Sequence, residues 1–360
     1  MQTITIGLLG LGTVGGGVVK LLQEHAAKIE QTTNVHFVLK RVAVAHLDKP
    51  RNVTLPDDTI LTDQLDEVLN DPEIQVIVET MGTINLARQA ITQAIYNHKS
   101  VITANKDLLA IDGPRLAQLA KSRHVDFLYE ASVAGGIPIL RVLSSSLATD
   151  QISQITGIIN GTANYILSAM TSNNVSYDKA LMNAQKKGYA EANPTNDVKG
   201  IDTANKLYTF VGPALIAHND PLAQVDGVQN AVAVESNALG SSVYTGPGAG
   251  AKPTANSILS DLAAAANDIL DYDCGSEFNN YHNELEPCSL TTVPQSYLVT
   301  TYGTSAKPNS TVNWQGEFSG NNYWSGLTPV ISHQELESLL KSFPKSSAVS
   351  YLPVYNTAKL

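Results

Sequence analysis

Near the N-terminus, residues 4–15 read ITIGLLGLGTVG. The first six of these residues are mostly β-branched or aliphatic and predict a buried strand. Three glycines follow at GxGxxG spacing, and an amphipathic pattern over residues 14–30 predicts a helix directly after them. A glycine loop between a strand and a helix is typical of a dinucleotide-binding fold, so this stretch decides the fold class.

The glycine loop predicts a cofactor-binding site at Gly10, Gly12, Thr13, Val14 and Gly15. Gly10 permits a tight turn, Gly12 lets the backbone approach a pyrophosphate, and Gly15 allows the helix to pack closely on the strand. Free N–H groups and the helix dipole favour phosphates at the start of the helix. The alternative interpretation is a glycine-rich turn that binds no ligand.

The pattern that follows this loop predicts a doubly wound domain. Short apolar runs alternate with amphipathic stretches up to residue 133, which is typical of an α/β fold with a Rossmann-type parallel sheet. Residues 1–134 are therefore assigned to a dinucleotide-binding domain. We predict further strands at 36–45, 74–80, 100–104 and 125–129 and helices at 85–97 and 114–123.

A different pattern begins near residue 137 and predicts a second, α+β domain over 135–253. A helix at 254–271 is expected to pack back onto the first domain, and the tail, 275–360, carries one clear helix at 333–343. The other predicted helices lie at 137–149, 163–173, 177–187 and 197–210, and the strands at 151–160, 228–234 and 241–245.

The composition of the 360 residues excludes several classes of function. Lys and Arg number 23 against 33 Asp and Glu, and the net charge of −10 argues against nucleic acid or an anionic membrane as a partner. Two cysteines, Cys274 and Cys288, make neither a disulfide framework nor a cysteine zinc site and indicate a reducing compartment. With no leader pattern and no long apolar run, we expect a cytoplasmic protein that acts on a small molecule.

The end of the second predicted strand bears on the choice between NAD and NADP. A carboxylate there usually binds the ribose 2′-hydroxyl of NAD, but this strand ends at Ala45 and His46. Because His46, Lys49 and Arg51 are cationic neighbours for a 2′-phosphate, the sequence favours NADP by a small margin. The alternative for these three side chains is a solvated loop.

The segment GYAEANPTNDVKGIDTANK, which starts at residue 188, brings acidic side chains and a lysine together. If Asn196 or Asp197 is the N-cap of a helix, Asp202 and Lys206 lie four positions apart on one face, where the carboxylate can orient the ammonium. Glu191 precedes the helix and can bind a cationic group of a substrate. The alternative is an ordinary surface ion pair beside an exposed glutamate.

A second lysine, Lys106, follows the predicted strand 100–104 at the edge of the sheet where doubly wound folds bind ligands. We expect it near the nicotinamide end of a cofactor. Two lysines near a carbonyl suit a reaction in which hydride reaches carbon while oxygen takes a proton. The alternative is a lysine in solvent.

Residues 130–138, EASVAGGIP, join the two predicted domains. Small side chains and glycines let backbone carbonyls converge on a hard cation, whereas the alternative is a hinge with close backbone packing. The histidines lack metal-ligand spacing and the serines lack a Gly-x-Ser-x-Gly elbow. A transition-metal site and a serine hydrolase are therefore disfavoured.

Six motifs, in order along the chain, resemble those of homoserine dehydrogenases. They are GLLGLGTVGGGV at 7–18, VITANKDLLA at 101–110, YEASVAGGIPIL at 129–140, ITGIINGTANYIL at 155–167, GYAEANPTNDVKGIDTANKL at 188–207 and GPGAGAKPTA at 246–255. The resemblance implies an NAD(P)-dependent oxidoreductase that interconverts L-aspartate 4-semialdehyde and L-homoserine, on the route to threonine, methionine and isoleucine. It also implies a homodimer, and it assigns substrate binding and dimer contacts to the second domain, residues 135–253.

The resemblance further implies roles for residues of the catalytic and substrate sites. Lys206 matches the proton donor, and Lys106 matches the lysine near the nicotinamide and the substrate. Glu191 matches the residue that binds the substrate amino group. Asp197 and Asp202 match acidic residues that line the substrate site.

Cofactor and cation sites are implied in the same way. Gly248, in the second glycine-rich loop, matches a residue at the cofactor. The family also has a site for a monovalent cation such as sodium, built from backbone oxygens. Its positions fall here on Glu130, Val133, Gly135 and Ile137.

The chain departs from the family pattern in three places. A stretch of helix and strand that usually follows Lys206 is missing, so the second domain is expected to be shortened after residue 207. An arginine common after the second strand is absent, and the tail 275–360 reads at most as a degenerate ACT-like remnant. A catalytically impaired, nucleotide-binding paralogue or regulator is therefore the alternative function. A phosphorylating semialdehyde dehydrogenase is disfavoured, because both cysteines lie in the poorly patterned tail.

Overall fold

The computed structural model describes residues 1–204, 211–275, 293–303, 307–308, 312–344 and 348–355. The chain divides into two compact units. The first comprises Met1–Val198 and Asp226–Glu284, and the second comprises Lys199–Val225 and Leu285–Leu360.

A six-stranded parallel sheet forms the centre of the first unit. Its strands are β1 (Gln2–Leu9), β2 (Val35–Ala43), β3 (Ile60–Thr62), β4 (Val76–Glu79), β5 (Ser100–Thr103) and β6 (Phe127–Leu128). Their order in the sheet is β3-β2-β1-β4-β5-β6, and every neighbouring pair is parallel. The predicted Rossmann-type α/β class is confirmed, and the order reverses between β1 and β4, where such sheets bind ligands at their carboxyl ends.

Helices alternate with these strands. They are α1 (Thr13–Glu24), α2 (Ala26–Thr33), α3 (Leu65–Leu69), α4 (Asn85–Tyr96) and α5 (Lys106–Ser122). The predicted helix 14–30 is in fact two helices that meet at His25. The predicted helix 114–123 begins earlier, at Lys106, and Pro114 lies inside it. Proline is most common in the first turn of a helix, so the sequence around Pro114 indicates a later start than the structure has.

Further elements follow along the chain up to residue 271. They are α6 (Ile139–Arg141), β7 (Ile152–Ile158), α7 (Gly161–Asn173), α8 (Tyr177–Lys186), α9 (Thr195–Val198), α10 (Ile201–Ala204), β8 (Leu215–Ile216), β9 (Gln229–Ser236), β10 (Gly240–Pro247) and α11 (Ala251–Asp271). In the first unit, β10, β9 and β7 form an antiparallel sheet in that order.

Helix α11 packs against α1 in the apolar core of the first unit. This core is built from aliphatic side chains of the sheet and of both helices, among them Ile6, Leu8, Val18, Ile258 and Leu262. Close approach of the helices depends on Gly17, because a Cβ there would lie 2.6 Å from the carbonyl oxygen of Ala251.

The second unit contains a five-stranded sheet and one longer helix. The elements are β11 (Ser296–Tyr302), β12 (Gly316–Gly320), β13 (Tyr323–Leu327), α12 (His333–Lys341) and β14 (Ala348–Tyr355), and the strand order is β12-β13-β11-β14-β8. The predicted helix at 333–343 is confirmed. The three strands β11–β13 escaped prediction because their Ser, Thr, Tyr and Gly residues give little hydrophobic alternation.

Two further predicted helices are wrong in extent. In the described part of the predicted helix 197–210, which ends at residue 204, α9 and α10 are separate short turns, and Gly200 between them has a φ of +74°. Asn196 and Asp197 lie within α9 rather than at an N-cap, and Lys206 lies outside the described residues. The predicted helix 137–149 reduces to α6 and one π-helical turn.

Within the described parts of the chain, no helix is both long enough and apolar enough to cross a membrane.

Candidate active site

The glycine loop between β1 and α1 has room for a ligand at one position and none at the others. Gly10 has a φ of +93°, and its carbonyl oxygen accepts a hydrogen bond from Thr80 Oγ1 at 2.9 Å. A Cβ at Gly15 would collide with that same oxygen, whereas a Cβ at Gly12 would meet nothing within 4 Å. Gly12 is the N-cap of α1, so the open space lies where helix N–H groups bind phosphates.

Lys106 lies at the same edge of the sheet, as the first residue of α5. It is half-buried, and Asn105 caps the helix by accepting a hydrogen bond from the Leu108 N–H at 3.2 Å. Helix α5 follows β5, which β4 separates from β1. The structure therefore brings the glycine loop and Lys106 to the carboxyl ends of nearby strands.

The loop after β2 is closed by Arg51. Its guanidinium donates hydrogen bonds to the backbone oxygens of Leu47 at 3.0 Å and Lys49 at 2.8 Å, and a further one to that of His46. The positive charge of Arg51 is thereby held beside the end of β2. In dinucleotide-binding folds, a residue at the end of this strand normally binds the ribose of the cofactor.

A buried charged network holds the segment after β6. The Glu130 carboxylate is fully buried and accepts hydrogen bonds from the N–H groups of Leu140 at 2.9 Å and Arg141 at 2.8 Å. Asp261 of α11 accepts the Glu130 N–H at 3.0 Å and an Arg141 Nη2 donor at 2.6 Å. Burial raises the pKa of Asp261 to about 7, and the nearby Glu130 charge adds to this, while Arg141 opposes both.

The backbone oxygens suggested for a cation lie in this segment. Gly135 O accepts Ser257 Oγ at 2.7 Å, and Ile137 O accepts the Ile139 N–H at 2.8 Å. Each carbonyl has two lone pairs, so oxygens of this kind fit a hard monovalent cation. In the described residues no group of His, Cys, Asp and Glu side chains could hold a metal.

Gly135 of the predicted cation segment is in close backbone contact with Gly248, the predicted cofactor residue of the second glycine loop. A Cβ at Gly135 would collide with the carbonyl of Gly248, and a Cβ at Gly248 would collide with the buried amide of Asn230. The second glycine loop is therefore packed directly on the predicted cation segment, and both positions require glycine.

The acidic residues of the substrate segment belong to different local elements. Asp197 Oδ1 accepts a hydrogen bond from Asn160 Nδ2 at 2.8 Å, and Asn160 also caps α7. Glu191 is exposed in the turn after α8, and its backbone oxygen accepts Gln185 Nε2 at 3.1 Å. Asp202 lies in α10, and because Lys206 lies outside the described residues, the predicted pairing of Asp202 with Lys206 stays a prediction.

Family models match both the segment that carries the glycine loop and the segment that carries the predicted substrate residues. A model described as the NAD-binding domain of homoserine dehydrogenase matches residues 10–130, and a second, described as homoserine dehydrogenase, matches 138–210 and 208–263. The chain belongs to the homoserine dehydrogenase family. Homoserine dehydrogenases are nicotinamide-dependent oxidoreductases that interconvert L-aspartate 4-semialdehyde and L-homoserine, so the predicted function is confirmed and an impaired paralogue is not favoured.

Individual homoserine dehydrogenases are similar over most of the chain. That of Bacillus subtilis (strain 168) is 38% identical over 317 residues, which cover 73% of each chain. That of Lactococcus lactis is 36% identical, covering 86% of this chain and 84% of that protein. A crystal structure from Thiobacillus denitrificans has a TM-score of 0.89 at 29% identity and 98% coverage of both chains. One from S. aureus has a TM-score of 0.78 at 28% identity, covering 99% of this chain and 100% of that one.

The structure of this homoserine dehydrogenase also contains buried polar residues that sequence reasoning missed. Glu79 ends β4, Thr103 ends β5, and Asp261 interrupts the apolar face of α11; all three have no exposed surface. A sequence signal existed for each, because a charged or hydroxyl side chain inside an apolar run must have a partner when it is buried.

Proposed function

We propose that this homoserine dehydrogenase binds its substrates at the carboxyl edge of the parallel sheet, between the glycine loop and Lys106. The observation that carries the proposal is the open space at Gly12 on the same sheet edge as the start of α5. A dinucleotide with its pyrophosphate on the N-terminus of α1 extends along this edge, as in other doubly wound folds.

We assign the chemistry to side chains around a bound nicotinamide, which supplies the hydride or takes it back. In the reducing direction, the Lys206 ammonium gives its proton to the carbonyl oxygen as the carbon receives hydride; in the oxidising direction, its amine takes the hydroxyl proton. Lys106 stabilises the negative charge that develops on that oxygen. The Glu191 carboxylate binds the substrate ammonium, and Asp197 and Asp202 line the substrate site.

Replacement of Lys206 tests this assignment. We expect Lys206→Ala to lower turnover by about a hundredfold or more, the range for loss of a positioned proton donor, with cofactor affinity nearly unchanged. Initial rates with homoserine and calorimetric cofactor binding measure the two effects. Lys199→Ala, at an exposed lysine seven positions earlier, is the matched control. Turnover of Lys206→Ala equal to that of the control would remove Lys206 from the mechanism.

We further propose a preference for NADP over NAD. The support is the lack of a carboxylate at the tip of β2 and the presence there of His46, Lys49 and Arg51, with Arg51 held against the loop. The expected result is a higher kcat/KM with NADP, and a loss of about tenfold in Arg51→Ala for NADP only, as expected for losing one phosphate contact. An equal loss with NAD would assign Arg51 to loop structure alone.

We also propose that a monovalent cation such as sodium binds backbone oxygens of Glu130, Val133, Gly135 and Ile137. The close packing of Gly135 on Gly248 supports a site at this point, because a cation there would hold the predicted cation segment against the second glycine loop. Thermal unfolding in sodium chloride and in choline chloride at equal ionic strength tests this. A sodium-specific rise in Tm is expected, and identical curves contradict it.

The domain assignment stays a proposal: residues 1–134 for the cofactor, 135–253 for substrate and dimer contacts, shortened after residue 207, and 275–360 as an ACT-like remnant. The second family match supports the shortening, since its two segments meet at residues 208–210. The helix and strands of the second unit support a folded tail.

For the oligomeric state we propose a homodimer. Strand β7 leaves Ile152 and Ile155, which lie on the same face of the small antiparallel sheet, partly exposed, and this gives an apolar surface for a second copy. Light scattering after gel filtration is expected to give twice the mass of one chain. A monomeric mass at micromolar concentration would contradict the proposal.

A further inference from the structure

A buried carboxylate connects the two loops that leave the sheet at β4 and β5. Glu79, the last residue of β4, has no exposed surface. Its Oε2 accepts the Thr103 hydroxyl at 2.6 Å, and its Oε1 accepts the Met81 N–H at 2.7 Å. One side chain is thereby bonded both to the end of β5 and to the loop after β4.

The bonds continue from Thr103 to the start of α5. Thr103 Oγ1 accepts the Asn105 N–H at 3.0 Å, and Asn105 Nδ2 donates to the Thr83 backbone oxygen at 2.8 Å. Asn105 is also the N-cap of α5, which begins at Lys106. The orientation of the Lys106 backbone is therefore set by a chain of hydrogen bonds that starts at Glu79.

The electrostatic setting of Glu79 agrees with a role in orienting its neighbours. Burial raises its pKa, and hydrogen bonds from Thr103, Asn105 and the backbone of Met81 and Gly82 offset part of that rise. Burying this carboxyl group costs free energy, which its hydrogen bonds from Thr103 and Met81 offset in part. A group that is costly to bury, placed beside a catalytic residue, is often retained for geometry.

We infer that Glu79 is a positioning residue for the hydride-transfer step, which holds Lys106 in place through Thr103 and Asn105. This inference rests on the proposed role of Lys106 at the nicotinamide. Loss of the Glu79 carboxylate lets the start of α5 shift relative to the glycine loop. The chemical step is affected, while the pyrophosphate site at Gly12 is not.

The test compares Glu79→Gln with wild type and with Asp126→Asn. Asp126 is a matched control, because it is also buried and bridges two strands of the same sheet, accepting from Ser100 Oγ at 3.4 Å, but at the opposite edge. We expect Glu79→Gln to lower kcat by about ten- to a hundredfold, the cost of misplacing a reacting group, with the Kd of NADP within about twofold. Amide exchange over residues 104–109 should become faster in Glu79→Gln and stay unchanged in Asp126→Asn.

The same link is tested from its other end, in case Glu79→Gln does not fold. Thr103→Val removes the hydroxyl and should reproduce the loss of kcat, whereas Thr103→Ser keeps the hydroxyl and should restore it. Equal kcat losses in Glu79→Gln and Asp126→Asn, or in Thr103→Val and Thr103→Ser, would reduce Glu79 to a structural role. An inactive wild type would instead contradict the proposed function, so the two failures are distinguishable.

Discussion

At the scale of single residues, the glycines of the first loop are required for different reasons, one for packing and another for ligand binding. Gly15 is required for packing, because a Cβ there meets the Gly10 backbone, whereas Gly12 is required only when something approaches its Cα. The three glycines of the motif therefore have different physical reasons for being glycine, although the sequence pattern treats them alike.

A pair of alanine substitutions distinguishes these reasons. Gly15→Ala is expected to lower the Tm by several degrees, equivalent to a packing clash of about 1–3 kcal/mol. Gly12→Ala should leave the Tm of the free protein unchanged and weaken NADP binding by about tenfold or more, since its Cβ occupies the phosphate approach. Scanning calorimetry and fluorescence titration measure both. A large loss of Tm in Gly12→Ala would contradict the assignment.

Asp71 supplies a pH-dependent contribution to stability. Burial alone would raise its pKa, but hydrogen bonds from Arg41 at 2.8 Å and Lys40 at 2.9 Å outweigh burial and lower it to about 2. A carboxyl whose pKa is lower in the folded state stabilises the fold above the unfolded pKa, and that stability is lost as the pH falls toward the folded value.

We expect Asp71→Asn to destabilise the protein at pH 7 by about 2 kcal/mol, the free energy equivalent of the pKa shift. The difference from wild type should be constant above about pH 5 and shrink as the pH falls through 4 toward 2. Denaturant unfolding at several pH values measures it. A difference that does not change with pH would mean that the ion pairs contribute nothing.

At the scale of elements, contact between α1 and α11 fixes one side of the parallel sheet. Gly17 faces Ala251 at a distance that admits no side chain, while the neighbouring Gly16 has its nearest contact, Val53 Cγ1, at an ordinary 3.6 Å from an added Cβ. The two positions lie in the same helix and differ only in what they face.

Gly17→Ala should therefore push the start of α11 away from α1 and cost about 1–3 kcal/mol. Gly16→Ala is the control, and it should be neutral or stabilising by up to about 1 kcal/mol, because alanine has the higher helix propensity. Chemical unfolding of both variants gives the comparison. Equal effects of the two substitutions would show that α1 and α11 can move apart at little cost in free energy.

At the scale of the whole molecule, the last described strand, β14, connects β8 to the rest of the sheet in the second unit. β14 lies between β11 and β8, so it joins the C-terminal segment to residues 215–216. Buried Tyr297, Val299 and Leu336 form the core beside it.

Truncation after residue 344 removes β14, which leaves β8 without a partner and exposes one edge of β11. We expect most of this variant to aggregate, because unpaired strand edges beside an exposed core associate readily. Truncation after residue 355 keeps every described strand and is the control. Soluble yield and light scattering measure the outcome, and a soluble, active product of the shorter chain would contradict the prediction.

The sequence alone determined the doubly wound fold, the glycine loop and the family, because hydrophobic periodicity and glycine spacing are local patterns. It failed at residues 197–210, where a helical pattern is interrupted by Gly200 with a positive φ. Only the tertiary structure brought Glu79 to Thr103, Gly135 to Gly248 and Glu130 to Asp261. Each of these pairs joins residues far apart in the chain, and their contacts depend on strand order and helix packing, which no local pattern encodes.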